Sequence, residues 1–122
     1  MIHSFHVELR SIIDEFVDSV YRQSKKFPKN EIFGATSQIR RAALSIALNY
    51  VEGYGRGSKA SNRHFLEISY GSLKETEYLI RFSCRQDWIL VSDQENLLKL
   101  SNRIGGMIWS TIQIKKRDNP AS

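Results

Sequence analysis

Seven consecutive residues, Gly53-Tyr54-Gly55-Arg56-Gly57-Ser58-Lys59, hold the densest group of chemically suggestive side chains in the sequence. Glycines, an aromatic ring, cations and a following helix start are the ingredients of an anion or phosphate site. The loop follows a helical pattern rather than a strand, and it lacks the GxxxxGK[ST] spacing that cradles nucleotide phosphates. Two readings stay open: a plain helix cap and turn, or a flexible connection whose Arg56, Lys59 and Arg63 touch a phosphate backbone. Other reactive types are sparser. His3 and His6 stand three apart without an evident third ligand, so they read as frayed surface histidines rather than a metal site. His64 and Glu67 have an i, i+3 spacing used in di-iron bundles, but such sites need several inward carboxylates on facing helices, and Glu67 maps outward. Cys84 has no base near it in sequence and reads as a packed thiol. No catalytic residue, metal or cofactor is expected.

The residues that must position this chemistry centre on Gln38–Gly53, QIRRAALSIALNYVEG. At 3.6 residues per turn, Gln38, Arg41, Ser45, Asn49 and Glu52 fall on one narrow polar stripe. Ile39, Ala42, Ala43, Ile46, Ala47 and Tyr50 make a broad apolar face beside it. Leu44, Leu48 and Val51 make a second, narrower one on the far side. A surface helix of a globular protein has one apolar stripe and a wide polar back. Here the polar part lies between two apolar faces, which predicts a bundle that buries one face internally and offers the other to a neighbouring subunit. Arg41, Asn49 and Glu52 are expected to bond into neighbouring helices and set their register, with Glu75 as the partner of Arg41, because half-buried charges are costly unless paired. The alternative for the stripe is a ligand site, which no nucleophile or metal ligand accompanies.

Three more helices follow from periodicity. Leu9, Ile12, Ile13, Phe16, Val17, Val20 and Tyr21 repeat at i, i+3, i+4, i+7 between Ser4 and Lys26, and Phe27-Pro28 stops that helix. KNEIFGAT is a short connection, and Gly53 is placed to be a left-handed cap closing the second helix. From Lys59 to Gln86, Phe65, Leu66, Ile68, Leu73, Leu79 and Ile80 share a face with Ser69, Ser72 and Thr76 among them. Small hydroxyl residues there allow close helix approach and can bond the i−4 carbonyl. DWILV carries a turn. Ser92 with Glu95 reads as a capping box for a last helix with Leu97, Ser101, Ile104, Ile108 and Ile112 inward. Gly105-Gly106 in its middle predicts close packing or a local break, and KKRDNPAS a frayed tail. Short connections between four helices predict an all-α, antiparallel up-down-up-down four-helix bundle, a single domain over 1–122.

Composition sets the wider bounds. At 122 residues the chain can bury a core without disulfides or a structural metal. One cysteine excludes an internal disulfide and suits a reducing, cytoplasmic setting. MIHSFHVELRS does not read as a signal peptide, and no apolar run is long enough to span a membrane. A net charge of +5 is compatible with an acidic partner such as nucleic acid.

Several linked motifs carry a family resemblance: Phe27-Pro28 with Glu31, QIRRAALSI at 38–46, Asn49 with Glu52 to Arg56, and Phe65 to Glu75. In that order they resemble the four-helix-bundle proteins encoded in intervening sequences of bacterial 23S ribosomal RNA genes, also labelled S23 ribosomal protein. Ala35 stands where leucine is commoner and Ser69 where alanine is. The resemblance implies an antiparallel four-helix bundle assembled into rings of five. A related branch, the accessory proteins of diversity-generating retroelements, implies a basic pentameric barrel that binds nucleic acid and a reverse transcriptase.

The expectation is therefore a non-enzymatic, homo-oligomeric bundle, a pentamer. Leu44, Leu48 and Val51 would lie at its interface, and Lys25, Lys26, Arg40, Arg56, Lys59 and Arg63 would contact RNA or DNA phosphates. The rival expectation is a scaffold that recruits a protein partner such as a polymerase, its charge merely solubilising. An enzyme is the third reading, to be revived by a bound metal or nucleotide.

Overall fold

A computed structural model describes residues 2–118, with the side chains of Ile2, His3, Lys59 and Asp118 outside the described set. Four helices follow one another: α1 over Ile2–Ser24, α2 over Ala35–Tyr54, α3 over Lys59–Arg85 and α4 over Val91–Asp118. A single 3-10 turn, Lys29–Glu31, lies between α1 and α2. The helices run alternately up and down and close as a square, α1 on α2 and α4, α3 on α2 and α4, with α2 and α3 in the most extensive contact. This is the expected antiparallel four-helix bundle. No helix among the described residues is long and apolar enough to cross a membrane.

The core is what the periodicity requires. Leu9, Ile13, Phe16 and Val20 of α1 meet Ile39, Ala43, Ile46 and Tyr50 of α2, Leu66, Leu73 and Ile80 of α3, and Leu97, Ile104, Ile108 and Ile112 of α4. Ile68 is a correction: it is partly exposed, because the inward line of α3 runs through Leu66, Leu73 and Ile80 and leaves Ile68 turned toward solvent. The buried hydroxyls behave as α3's pattern suggests. Thr76 donates to the Ser72 carbonyl at 2.7 Å and Ser83 to that of Leu79 at 2.7 Å. Ser69 instead crosses to α2 and donates to the Ile46 carbonyl at 2.8 Å. Glu77, also buried, accepts from Ser101 on α4 and pairs with Lys74 at 3.3 Å. Desolvation works against the Lys74 charge, but the Glu77 carboxylate and Tyr70 outweigh it and raise the ammonium pKa.

Helix ends depart from the sequence expectations in four places. α2 starts at Ala35, ahead of Gln38, because the Glu31 carboxylate accepts from the Ala35 amide at 3.0 Å and caps the first turn. α4 starts at Val91, so Ser92 sits inside the first turn rather than at the cap and the capping box does not form. Lys115, Lys116 and Arg117 are helical rather than frayed, cations at a C-terminus being favoured by the helix dipole; Asn119 to Ser122 lie outside the described residues. Gly53 is not a left-handed cap: among the described residues no glycine has positive φ, and α2 runs one residue further to Tyr54. The left-handed residue is Asp87, φ 65, in the turn after α3.

The need for glycine at 53 is spatial. A Cβ there would lie 3.0 Å from the Phe65 Cβ and 3.1 Å from the Asn62 carbonyl oxygen, so only glycine lets α2 and α3 meet so closely. Gly105 has a similar role, facing Leu73 Cδ2 at 3.3 Å, and the helix passes through it unbroken. Gly106 faces open space. Opposite signs are therefore expected for two alanine substitutions. Gly53→Ala should lose about 1–3 kcal/mol through overpacking against backbone. Gly106→Ala should gain about 1 kcal/mol from helix propensity. Urea denaturation of the two variants checks both, and equal signs would contradict the packing.

Candidate functional site

At the end of the bundle where α1 hands over to α2, the chain turns through Phe27-Pro28 and the 3-10 turn to leave an open groove of about 460 Å³. Phe27, Pro28 and Ile32 supply apolar lining, Ser24 and Thr36 hydroxyls, and Lys25, Lys29 and Arg40 positive charge. Proline at 28 ends α1 and forbids continuing helix, which is why two elements separated by a sharp turn leave space between them. Arg40 is held from below: its Nε donates to Ser24 Oγ at 2.8 Å, and its guanidinium lies 5.0 Å over the Tyr21 ring. Ser24 Oγ in turn donates to the Tyr21 carbonyl at 3.0 Å. No carboxylate pairs with Lys25, Lys29 or Arg40 among the described residues. Lys26, beside them, lies 3.6 Å from Asp93.

The other expected phosphate-binding cations are at the opposite end, about 20 Å away along α2 at 1.5 Å per residue. They are mostly neutralised there. Arg56 pairs with Glu52 and lies 4.9 Å over the Phe65 ring. Arg63 is largely buried and reaches Glu67 at 3.6 Å, its Nε without a hydrogen-bond partner among the described residues. The Lys59 side chain lies outside the described set. The glycine-rich loop itself is organised as a turn. Ser58 accepts from the Ser61 amide at 3.1 Å. Asn62, with its amide nitrogen turned to the loop, has the carbonyl oxygens of Gly53, Arg56 and Ser58 within hydrogen-bonding reach; the reverse orientation would aim oxygen at oxygen. The structure thus divides the five described cations, Lys25, Lys26 and Arg40 against Arg56 and Arg63, between the two ends of the bundle.

The polar stripe of α2 is likewise divided. Ser45 shares a hydrogen bond with Ser72 at 2.7 Å, and Gln38 donates to Glu75 at 2.6 Å, both crossing to α3. Glu75 was expected to meet Arg41, but Arg41 is exposed and has no ion pair among the described residues. Asn49 turns back on its own helix, donating to the Ser45 carbonyl at 2.8 Å, and Glu52 pairs with Arg56 one turn on. The reason is angular: Ser45 and Gln38 lie on the α3 side, whereas Arg41 and Glu52 rotate toward solvent. Leu44, Leu48 and Val51 lie outside the bundle core, 39%, 65% and 51% exposed.

One cluster was not anticipated. His6, expected as a frayed surface residue, is half-buried; its Nδ1 is 2.7 Å from the Tyr50 hydroxyl and its ring 4.4 Å from that of Tyr54. With Asn62, Thr111 and Lys115 these residues line a cavity of about 100 Å³ where all four helices converge. Burial of the Tyr50 hydroxyl, with Tyr54 beside it and Arg10 opposing, pushes its pKa up to about 12. The His3 side chain is outside the described set. His64 and Glu67 are both exposed, and no group of three metal-ligating side chains occurs among the described residues. Sequence reading also passed over Lys29, Ile32, Phe33 and Thr36, which it assigned to a connection. Two large apolar residues in the eight-residue connection KNEIFGAT were the available signal.

Comparison with known proteins agrees with this architecture. No curated protein matches the sequence. A solved structure does: a protein of unknown function from the S23 ribosomal protein family of Bacteroides thetaiotaomicron, 25% identical, covering 85% of this chain and 97% of that one with a TM-score of 0.79. The family model described as 23S rRNA-intervening sequence protein matches residues 8–110. A match over that much of a chain that also has the four-helix fold is decisive, and the protein belongs to the 23S rRNA-intervening sequence protein family.

Proposed function

We propose that this protein is a non-enzymatic, homo-oligomeric bundle, a ring of five, that binds RNA or DNA through phosphate contacts. The observation that carries the reading is the groove at the α1–α2 turn, where Lys25, Lys29 and Arg40 converge without a carboxylate partner among the described residues. Most cations elsewhere in a folded protein have an acidic neighbour or extend singly into water; three around one concavity attract an anion. Lys26, Arg56, Lys59 and Arg63 then contribute the longer-range positive field rather than the principal contacts. The ring rests on a different feature, the exposed Leu44, Leu48 and Val51, which a second copy would cover.

Affinity for nucleic acid should fall steeply with salt. Three neutralised phosphates correspond to roughly a twenty- to fortyfold loss between about 50 and 200 mM salt. Titration of a labelled oligonucleotide at the two concentrations measures it. Absence of binding at low salt, or an affinity indifferent to salt, would sink the proposal. The same exposed apolar stripe supports a second reading, a scaffold that recruits a protein partner without touching nucleic acid. A partner protein retained after nuclease treatment, together with no oligonucleotide binding, would favour that one.

A further inference from the structure

We infer that the groove at the α1–α2 turn takes a single-stranded nucleic acid, with its phosphates on Lys25, Lys29 and Arg40 and a base stacked on Phe33. The inference rests on the nucleic-acid reading above and narrows it to one strand type and one end of the bundle.

Phe33 is the most exposed large apolar side chain in the described protein, 95% accessible, and its neighbour Ile32, half exposed, lines the groove. An aromatic ring left in water, next in the chain to a residue that lines a cationic concavity, offers both elements of single-strand recognition: a stacking surface for a base and positive charge for the backbone. The groove volume of about 460 Å³ lies within the range of small-ligand sites, roughly 300–1,000 Å³, enough for a nucleotide but not for a duplex. Its apolar lining of Phe27, Pro28 and Ile32 suits a base, and the Ser24 and Thr36 hydroxyls suit sugar or phosphate oxygens. Arg40 is already positioned by Ser24 and Tyr21, so less freedom is lost when a phosphate arrives. Glu31, the carboxylate in the same turn, accepts from the Ala35 amide and forms no ion pair with the lysines among the described residues. A duplex keeps its bases stacked on one another and presents only phosphates, so Phe33 discriminates between the two forms.

The test is fluorescence anisotropy on the full chain at low salt. The probes are a labelled oligouridylate of about a dozen nucleotides, an RNA duplex of the same length, and a polyglutamate peptide. Phe33→Ala should weaken the single strand roughly five- to hundredfold and leave the duplex unchanged. Lys25→Ala with Lys29→Ala should lower the salt slope for the single strand by about 1.4. Arg56→Ala, at the far end and adding only to the longer-range field, should change each far less than the groove substitutions do. The substituted side chains are exposed or carry no core packing, and circular dichroism melts confirm folding. Oligouridylate binding that is equal in wild type and Phe33→Ala overturns the groove assignment while leaving general phosphate binding intact. Duplex bound as tightly as single strand, or polyglutamate displacing the oligonucleotide at equal concentration, also overturns it. Wild type that binds no oligonucleotide at all removes the underlying reading with it.

Discussion

The wild-type protein should scatter light as an oligomer, and a Leu48→Asp variant under the same conditions as a folded monomer of 14.1 kDa. Leu48 is 65% exposed on the outer side of α2, so aspartate there meets water in the isolated bundle and the core is untouched. In an interface the same change has two costs. It removes the transfer of a leucine side chain from water, about 1.5–3 kcal/mol. It also places a carboxylate against Leu44, Leu48 or Val51 of the adjoining surface, where an unpaired charge costs several kcal/mol more. A closed ring carries that loss at every joint, so assembly at micromolar concentration should be abolished rather than weakened. Multi-angle light scattering and a thermal melt on the same sample separate dissociation from unfolding. Wild-type protein that is monomeric, or a Leu48→Asp variant that stays assembled, would remove the α2 stripe from the interface.

A second large effect is expected in alkali. The Tyr50 hydroxyl is almost wholly buried and its pKa stands at about 12, against 10.0 for an exposed tyrosine. Below pH 10 the folded and unfolded chains both keep this proton and it contributes no pH dependence. Between pH 10 and 12 the unfolded chain releases the proton while the folded one retains it, so stability falls as pH rises, by on the order of 2–3 kcal/mol across the window. Tyr50→Phe removes that descent. It also removes the hydrogen bond to His6, costing about 1 kcal/mol at neutral pH. The variant should therefore be the less stable protein at pH 7 and the more stable one near pH 12. Lysines and other tyrosines titrate in both proteins and cancel in the difference between their urea midpoints. A difference that does not vary with pH would mean that Tyr50 ionises as freely as a surface tyrosine.

How legible these sites were in the sequence depends on the residue. Leu9, Ile13, Phe16 and Val20, like Leu97, Ile104, Ile108 and Ile112, could be assigned inward from spacing alone, because a helix rotates each residue by a constant angle whatever surrounds it. The three hydroxyls of α3 were legible for the same reason. Arg40 and Arg56 were not separable in that way. Both are arginines near helix ends; the fold sets Arg40 beside Ser24 and Tyr21 with no ion pair among the described residues, while Arg56 pairs with Glu52 one turn back. Phe33 was invisible for a related cause: an apolar residue in a linker is assumed to pack on something, and here none of the described residues covers it.

By itself, then, the sequence determined the class of fold, the order and inner faces of the four helices, and the family, since all of these follow from periodicity and from motifs read along one dimension. Only the tertiary structure decided where helix ends fall, that Gly53 serves a close crossing instead of a turn, that His6 lies under Tyr50, and which cations remain uncompensated. The glycine crossing, the His6–Tyr50 contact and the setting of Arg40 depend on distances between residues far apart in the chain. Periodicity says which way a side chain points, and packing says what it meets there.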